Sequence, residues 1–198
     1  MEPDYFQDRA QAERYAQSSA KRSIKIAKEV FVKWLQQQGL SEGRILEVGC
    51  GSGEVAVELA MAFPKATVVG LDLSEPMLDM ARALAKKADL SDRVLFKNGD
   101  AQSMPFEDRS FEGVVSLNTF HVVKDPVAML NEIERVLAPD GSLMVTDIRR
   151  SWLRLFMPIL KTAYTSAQAR DLLSHSRLRR SEFSQGTCWL AFSIARPN

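Results

Sequence analysis

Cysteine is scarce in this chain, and long apolar runs are absent. Its 198 residues include two cysteines and two histidines. These are too few for a disulfide framework or a metal-binding set, so we expect Cys50 and Cys188 to be reduced packing residues. No apolar run approaches the ~20 residues that span a bilayer, and the charged N-terminus lacks the apolar stretch of a signal peptide. The sequence therefore predicts a cytoplasmic protein with no metal centre.

Charge of one sign does not dominate the chain either. The net charge is +1, with 26% charged and 45% hydrophobic residues. This balance is that of an ordinary globular domain, and it gives no reason to expect a DNA or membrane partner. The basic residues are unevenly spread, because residues 149–198 hold nine basic and two acidic residues. The basic tail indicates either a solvated face or a site for an anionic substrate.

Segments with strand and helix periodicity alternate along the chain. Helical spacing over residues 8–38 predicts one or two long helices that end at Gly39. We predict five strands at residues 44–48, 67–71, 94–97, 113–117 and 142–146. We predict the helices between them at residues 53–62, 75–88 and 126–137, with a turn at 139–141. This alternation favours parallel pairing in a doubly wound, three-layer α/β sandwich.

The end of the chain follows a different pattern. Residues 166–174 have helical spacing, and residues 179–184 and 187–195 are predicted as strands. The short Gln185-Gly186 link between the strands permits only an antiparallel hairpin. We therefore predict a mostly parallel seven-stranded sheet with one antiparallel strand in a C-terminal hairpin. Within one domain, we assign a helical cap (1–40), a cofactor-binding core (42–148), a candidate substrate lid (149–165) and the hairpin (179–195).

A glycine-rich turn follows the first predicted strand. Residues 45–53 read I-L-E-V-G-C-G-S-G. Glycines let the backbone approach a ligand closely, and the helix that follows presents free N–H groups. A dinucleotide-binding fingerprint needs its third glycine one place later, where Glu54 stands, and no G-K-[ST] follows to make a Walker loop. The turn indicates a nucleotide-like cofactor of another kind.

Two acids end the next two predicted strands. Asp72 can accept both hydroxyls of a ribose, in charged hydrogen bonds of roughly 1.5–3 kcal/mol each. Asp100 can accept the exocyclic amine of an adenine, with Ala101 offering a backbone N–H. Each acid also has a structural interpretation, since Asp72 suits a helix N-terminus and Asp100 suits an Asx turn.

Several ordered motifs together resemble the class I S-adenosylmethionine-dependent methyltransferases, of the small-molecule type. The matching segments are E-V-G-C-G-S-G (47–53), G-L-D-L-S (70–74), G-D-A (99–101) and R-V-L-A-P-D-G-S-L (135–143). The resemblance covers about residues 42–148. One departure is Asp140, where the family usually has a glycine in a Pro-Gly-Gly turn, and we expect it to affect only that turn.

The resemblance implies S-adenosylmethionine as cofactor, S-adenosylhomocysteine as product and a small-molecule methyl acceptor. It implies that the three glycines approach the methionine part, that Asp72 binds the ribose and that Asp100 recognises the adenine edge. The residues implied to bind the cofactor are Glu47, Gly49, Gly51, Gly53, Asp72, Leu73, Met77, Asp100, Ala101, Asn118 and Tyr15.

Catalysis needs a general base only if the acceptor carries a proton of unsuitable pKa. His121, just past the fourth predicted strand, is the first candidate. Asp147, at the end of the fifth, is the second. Arg149 and Arg150 are candidates for binding an anionic group of the acceptor, with Trp152 in the candidate lid that follows.

Two other functions stay open at this point. The basic C-terminal region is also compatible with an RNA methyltransferase, although it lacks interleaved aromatic platforms. A methyltransferase fold is equally compatible with a non-catalytic, cofactor-binding scaffold.

Overall fold

The computed structural model describes residues 6–151, 162–178 and 180–196. Its helices are α1 (Arg9–Ile26), a π-helical segment (Ala27–Val32), α2 (Lys33–Gln37), α3 (Glu54–Ala62), α4 (Glu75–Lys87), α5 (Pro126–Val136) and α6 (Ser166–His175). Its strands are β1 (Glu42–Val48), β2 (Lys65–Asp72), β3 (Val94–Asn98), β4 (Phe111–Leu117), β5 (Leu137–Ile148), β6 (Glu182–Gln185) and β7 (Trp189–Ile194).

The seven strands form one sheet in the order β3-β2-β1-β4-β5-β7-β6. Strands β1 to β5 pair in parallel, whereas β7 is antiparallel to both β5 and β6. This confirms the predicted mostly parallel sheet with one antiparallel strand in the terminal hairpin. Because the strand order reverses between β1 and β4, their carboxyl ends flank a crevice, where sheets of this type bind ligands.

Strand β1 lies at the centre of the three layers and is buried on both faces. Ile45 and Leu46 are both fully buried, and they belong to different hydrophobic clusters. Ile45 packs with Phe31 and other residues of the N-terminal helices and α3. Leu46 belongs to the cluster that includes Ile133 of α5. Adjacent residues of a strand point to opposite faces, so one apolar strand holds both layers of helices to the sheet.

The predicted N-terminal helix over residues 8–38 is confirmed as the continuous run of α1, the π-helical segment and α2. It begins at Asp8, whose carboxylate accepts the Gln11 N–H at 2.7 Å, and it ends before Gly39, which has a φ of 73°. Across the described residues, every helix is too short or too polar to cross a bilayer.

The predicted turn at residues 139–141 is part of strand β5 instead. The register between β4 and β5 shifts at Phe111/Gly113, and this bulge absorbs the extra residues. Asp140 leaves the strand edge to accept Arg196 Nη2 at 3.1 Å. The hairpin strands are shorter than predicted, and a Cβ on Gly186 in the turn between them would overlap the Trp189 indole.

We expect the glycine-rich turn to tolerate a methyl group at one position and not at another. A Cβ on Gly53 would lie 2.8 Å from the Ala81 Cβ of α4, whereas Gly51 has open space. Both have positive φ, 84° and 49°. Gly53→Ala should lower the free energy of unfolding by roughly 2–4 kcal/mol, through overpacking and left-handed strain. Gly51→Ala should lower it by about 1–2 kcal/mol. Urea denaturation measures both, and equal losses would contradict the packing role of Gly53.

Candidate functional site

A cavity of about 270 Å³ opens at the carboxyl edge of the sheet, in the crevice between β1 and β4. Its walls come from the residues that end β1, β2, β3 and β4, and from α1. The residues assigned from the sequence that line it are Tyr15, Gly49, Gly51, Asp72, Leu73, Met77, Asp100, Ala101 and Asn118. Much of the rest of its lining is apolar, including Phe6, Leu71 and Val123. The fold thus brings four separate strand ends to one small-molecule-sized space.

A smaller cavity of about 50 Å³ adjoins the first and shares the walls at Tyr15, Gly51 and Asn118. Its lining is strongly polar and includes Glu47 and Glu54, with Arg22 and two serines contributed by α1. Of the residues assigned from the sequence, Glu47 faces only this smaller cavity. The two spaces together combine an apolar compartment with a charged one.

Asp72 ties the glycine-rich turn of β1 to the end of β2. Its Oδ2 accepts the Gly51 N–H at 2.8 Å, and its Oδ1 accepts the Ser74 N–H at 2.9 Å. Burial raises the pKa of Asp72, while these two N–H donors act to lower it. Each carboxylate oxygen has a second acceptor position. The carboxylate can therefore hold the turn and still accept two hydroxyls from a ligand in the cavity.

The three glycines of the turn have three different surroundings. A Cβ on Gly49 would overlap the Thr119 side chain, so this glycine lets the loop after β4 approach β1. Gly53 lies outside the cavity lining and packs against Ala81 and Phe96. Gly51 has open space where its Cβ would be and lines both cavities. At this glycine, a side chain would enter the space available to a ligand.

Glu47 is a buried acid with one backbone donor, the Ala56 N–H. Only 2% of its surface is exposed, and its Oε2 has no hydrogen-bond donor among the described residues. Burial raises the pKa of the Glu47 carboxyl well above its usual range, and the nearby Glu54 carboxylate raises it further. Glu54 itself accepts the Ser52 hydroxyl at 2.8 Å. Two acids facing one small polar cavity suit a ligand cation such as an ammonium group.

The surroundings of Asp100 are compatible with both roles considered for it. Its Oδ1 accepts the Gln102 N–H at 2.8 Å, which closes an Asx turn. Its side chain nevertheless lines the main cavity beside Ala101 and Leu73. The structural and the ligand-binding interpretations are therefore compatible.

His121 and Asp147, two separate candidates in the sequence, form one pair. His121 Nδ1 lies 2.6 Å from Asp147 Oδ1, and the His121 backbone N–H donates to Oδ2 at 3.0 Å. Asp147 is 2% exposed and also accepts the Ile148 N–H at 2.6 Å. Neither residue lines the cavities, although Asn118 and Val122 of the same loop line the main one. Such a contact fixes the ring orientation and leaves Nε2 as the nitrogen available for proton transfer.

Two tyrosines lie near this pair. Burial raises the pKa of Tyr164, and the Asp147 carboxylate raises it further. Burial also raises the pKa of Tyr15, which Arg22 lowers and Asp147 raises. Asp147 therefore raises the pKa of one tyrosine in α1 and of another just before α6.

The two arginines after β5 are engaged by other parts of the chain. Arg149 Nη2 donates to the Thr187 carbonyl at 2.9 Å, and Arg150 Nη2 donates to Gln168 Oε1 at 2.5 Å. They thus link the end of β5 to the hairpin turn and to α6. Most of the candidate lid, including Trp152, lies outside the described residues.

Sequence reasoning missed the contribution of α1 beyond Tyr15. Ser19 and Arg22 follow Tyr15 at positions i+4 and i+7, so the three share one helix face, and all line the smaller cavity. The polar residues at this helical spacing could have been recognised in the sequence. Gln102 was also missed, because its importance depends on contacts with distant residues.

Comparisons with known proteins agree with this geometry. Residues 45–141 match the family described as a methyltransferase domain. The chain is 38% identical over 104 residues to 27-O-demethylrifamycin SV methyltransferase of Amycolatopsis mediterranei, covering 52% of this chain and 38% of that protein. It is 40% identical over 106 residues to a fatty-acid O-methyltransferase of Mycolicibacterium smegmatis, covering 54% of this chain and 37% of that protein. The matched segment thus spans less than half the length of either relative.

The fold comparison extends over nearly the whole chain. The crystal structure of an S-adenosylmethionine-dependent methyltransferase from Aquifex aeolicus superposes with a TM-score of 0.74 at 21% identity, covering 94% of this chain and 97% of that one. Together these matches support assignment of the chain to the class I S-adenosylmethionine-dependent methyltransferases.

The raised pKa of Glu47 predicts a measurable pH dependence. An ammonium-bearing ligand needs the ionised carboxylate, so affinity for S-adenosylhomocysteine should rise with pH as Glu47 loses its proton. Because the pKa of Glu47 is raised, the increase in affinity should occur at pH values above the usual carboxyl range. In Glu47→Gln the affinity should be roughly tenfold lower at high pH and should vary less between about pH 5 and about pH 8. Isothermal titration calorimetry across that range measures both effects.

In the absence of ligand, Glu47→Gln should raise the thermal stability of the protein, whereas it should lower ligand affinity. A raised pKa in the folded state means that stability is lost as pH rises through that pKa. Glu47→Gln should therefore be more thermally stable than the wild type above neutral pH. Glu107→Gln, at an exposed position, is the matched control. Equal pH profiles for all three proteins would contradict a ligand-facing, buried Glu47.

Proposed function

We propose that this protein transfers the methyl group of S-adenosylmethionine to a small-molecule acceptor. The observation that carries the proposal is the single cavity that joins Gly51, Asp72 and Asp100 from three strand ends. A nucleoside with an amino-acid tail has the chemistry to match it: a base, a ribose diol and a zwitterionic end. Family membership supports the same cofactor.

The binding roles follow from the chemistry of each wall. Asp72 accepts the ribose hydroxyls, using the acceptor positions that its two backbone contacts leave free. Leu73 and Met77 pack against the adenine. Asp100 and Ala101 recognise its edge. Gly51 leaves room for the chain that joins ribose and sulfur.

The charged cavity binds the amino-acid end. Glu47 and Glu54 attract its ammonium group, and the unpartnered Oε2 of Glu47 supports this assignment. Arg22 lies on the opposite wall, contributed by α1, and suits the carboxylate. Tyr15 and Asn118 border both cavities, so they lie where the two ends of the ligand meet.

Methyl transfer makes modest chemical demands on the protein. The cofactor supplies a methyl group already activated on a sulfonium, and a neutral thioether leaves. The chain must align the acceptor with this methyl group, and well-held reactants can gain roughly 7–11 kcal/mol from alignment alone. We assign the acceptor side of the cavity to Asn118 and Val122, because both line it from the loop after β4.

For an acceptor that must lose a proton, we assign the general base to His121, which lies outside the cavity lining but on the same loop as the lining residues Asn118 and Val122. Asp147 accepts from Nδ1, which leaves the unprotonated Nε2 to take the proton and lets the carboxylate stabilise the resulting imidazolium. The names of two relatives, a 27-O-demethylrifamycin SV methyltransferase and a fatty-acid O-methyltransferase, indicate oxygen acceptors in those proteins. An acceptor oxygen that carries a proton is the kind that this pair suits.

Observations of the structure rank the remaining alternatives lower. Arg149 and Arg150 already donate to protein oxygens, which weakens both an anionic acceptor and an RNA substrate held by these residues. A buried His–Asp pair beside the site favours an enzyme over a cofactor-binding scaffold. Both cysteines are free, as is usual in a reducing compartment, and we therefore assign the protein to the cytoplasm.

The cofactor assignment is tested at Asp72. Asp72→Asn keeps the shape of the side chain but removes the charge, so affinity for S-adenosylhomocysteine should fall roughly 10–100-fold. Isothermal titration measures the change, and Asp92→Asn, at an exposed position before β3, is the control. Unchanged affinity in Asp72→Asn would remove Asp72 from the ribose site. If the wild type does not bind S-adenosylhomocysteine, the proposed function is refuted.

The catalytic assignment is tested at His121. On an acceptor found by metabolite screening with mass spectrometry, His121→Ala should lower kcat roughly 10²–10⁴-fold while leaving cofactor affinity nearly unchanged. His175→Ala is the matched control, because His175 is exposed on α6. If the rate of His121→Ala equals that of the wild type, His121 has no part in the chemistry.

A further inference from the structure

One side chain connects the loop after β3 to the loop after β4, both of which line the cavity. Gln102 Nε2 lies 2.9 Å from Asp100 Oδ1 and 3.1 Å from Asp100 Oδ2. On its other side, Gln102 Oε1 accepts the Asp125 backbone N–H at 2.6 Å. The amide thus joins the end of β3 to the residue that precedes α5.

These contacts fix which way the amide faces. With the amide turned over, its oxygen would face the Asp100 carboxylate and its NH2 group would face the Asp125 N–H. Both contacts would be repulsive, because acceptor would meet acceptor and donor would meet donor. The Asp125 N–H is itself immobilised, since the Asp125 side chain caps α5 by accepting the Ala128 N–H at 3.0 Å.

The same loop is held to α5 at a second place. The Met104 N–H donates to Glu132 Oε2 at 2.7 Å, and Arg135 donates to the Met104 carbonyl at 3.0 Å. Glu132 and Arg135 also bond to each other at 2.7 Å. The segment after Asp100 is therefore clamped to a helix, and Gln102 transmits that rigidity to the carboxylate.

The contacts with Gln102 also determine which acceptor positions of the Asp100 carboxylate remain vacant. Asp100 Oδ1 already accepts two donors, the backbone N–H and the side-chain amide of Gln102, and Oδ2 shares the amide. Each carboxylate oxygen has about two acceptor positions, so the vacant one is on Oδ2. A carboxylate held in this way presents an acceptor to the cavity and no donor.

We propose that Gln102 is a positioning residue that aims the Asp100 carboxylate, so that the site selects a 6-aminopurine nucleoside over its 6-oxo counterpart. An exocyclic amine donates to the fixed oxygen, whereas a 6-oxo group presents oxygen to oxygen. The inference rests on the proposed function, and it adds a determinant of base specificity that lies outside the cavity lining.

The test compares two probes in the intact protein, S-adenosylhomocysteine and S-inosylhomocysteine, which differ at the 6-position of the purine. The wild type should bind the amino form roughly 10–100-fold more tightly. Gln102→Ala should lower this ratio about tenfold, because Asp100 becomes free to turn away. Gln102→Glu, of the same shape, should also lower it, because an ionised glutamate cannot donate to Asp100. Gln37→Ala, on the exposed face of α2, should leave the ratio unchanged.

The ratio separates positioning from a merely structural contribution. A structural role would weaken both probes equally or lower the melting temperature, and would leave the ratio intact. A wild-type ratio in both Gln102 variants would overturn the proposal. If Asp100→Ala also kept the ratio, the assignment of Asp100 to the adenine would fail first. If Asp100→Ala lost it while the Gln102 variants kept it, only the inference about Gln102 would fail.

Discussion

The Asp72 carboxylate is the contact on which the rest of the candidate site depends. It accepts one N–H from the turn after β1 and one from the segment after β2, so the two central loops cannot move independently. These contacts use one acceptor position on each oxygen, and the other position on each remains free for a ligand. A group that holds the cavity in shape is thus also the group proposed to bind the ribose, and structure and function are combined in one side chain.

The glycine-rich turn also combines packing between elements with space for a ligand. All three glycines of the turn have a positive φ, but the space at the position of a Cβ differs among them. Gly49 admits Thr119 from the loop after β4, Gly53 admits Ala81 from α4, and Gly51 faces open space. Two of the three glycines therefore serve packing between elements, and the motif owes much of its form to the layers above and below β1 rather than to the ligand.

The sequence predicted the parts of the site that are local. Asp72 is the last residue of β2 and Asp100 lies two residues after β3. The carboxyl ends of parallel strands meet at one edge, so the convergence of these two acids could be foreseen. Contacts between distant segments could not be. His121 and Asp147 were recognised only as separate candidates, although the sheet pairs β4 with β5 and brings them to 2.6 Å. Gln102 carried no motif, since its role depends on an N–H donor 23 residues away. The turn expected at residues 139–141 was wrong because a bulge against β4 absorbed it.

Glu47 is a residue of the candidate site that we expect to lower the stability of the free protein. The Ala56 N–H offsets only part of the cost of burying the Glu47 carboxylate, because Oε2 has no donor among the described residues and the neighbouring Glu54 adds repulsion. Nothing in the packing of β1 requires an acid there, because the residues on either side, Leu46 and Val48, are apolar and fully buried. A ligand ammonium would remove the penalty on binding, so part of the binding free energy would come from relieving this strain. The free protein would then be poised to gain stability when its ligand arrives.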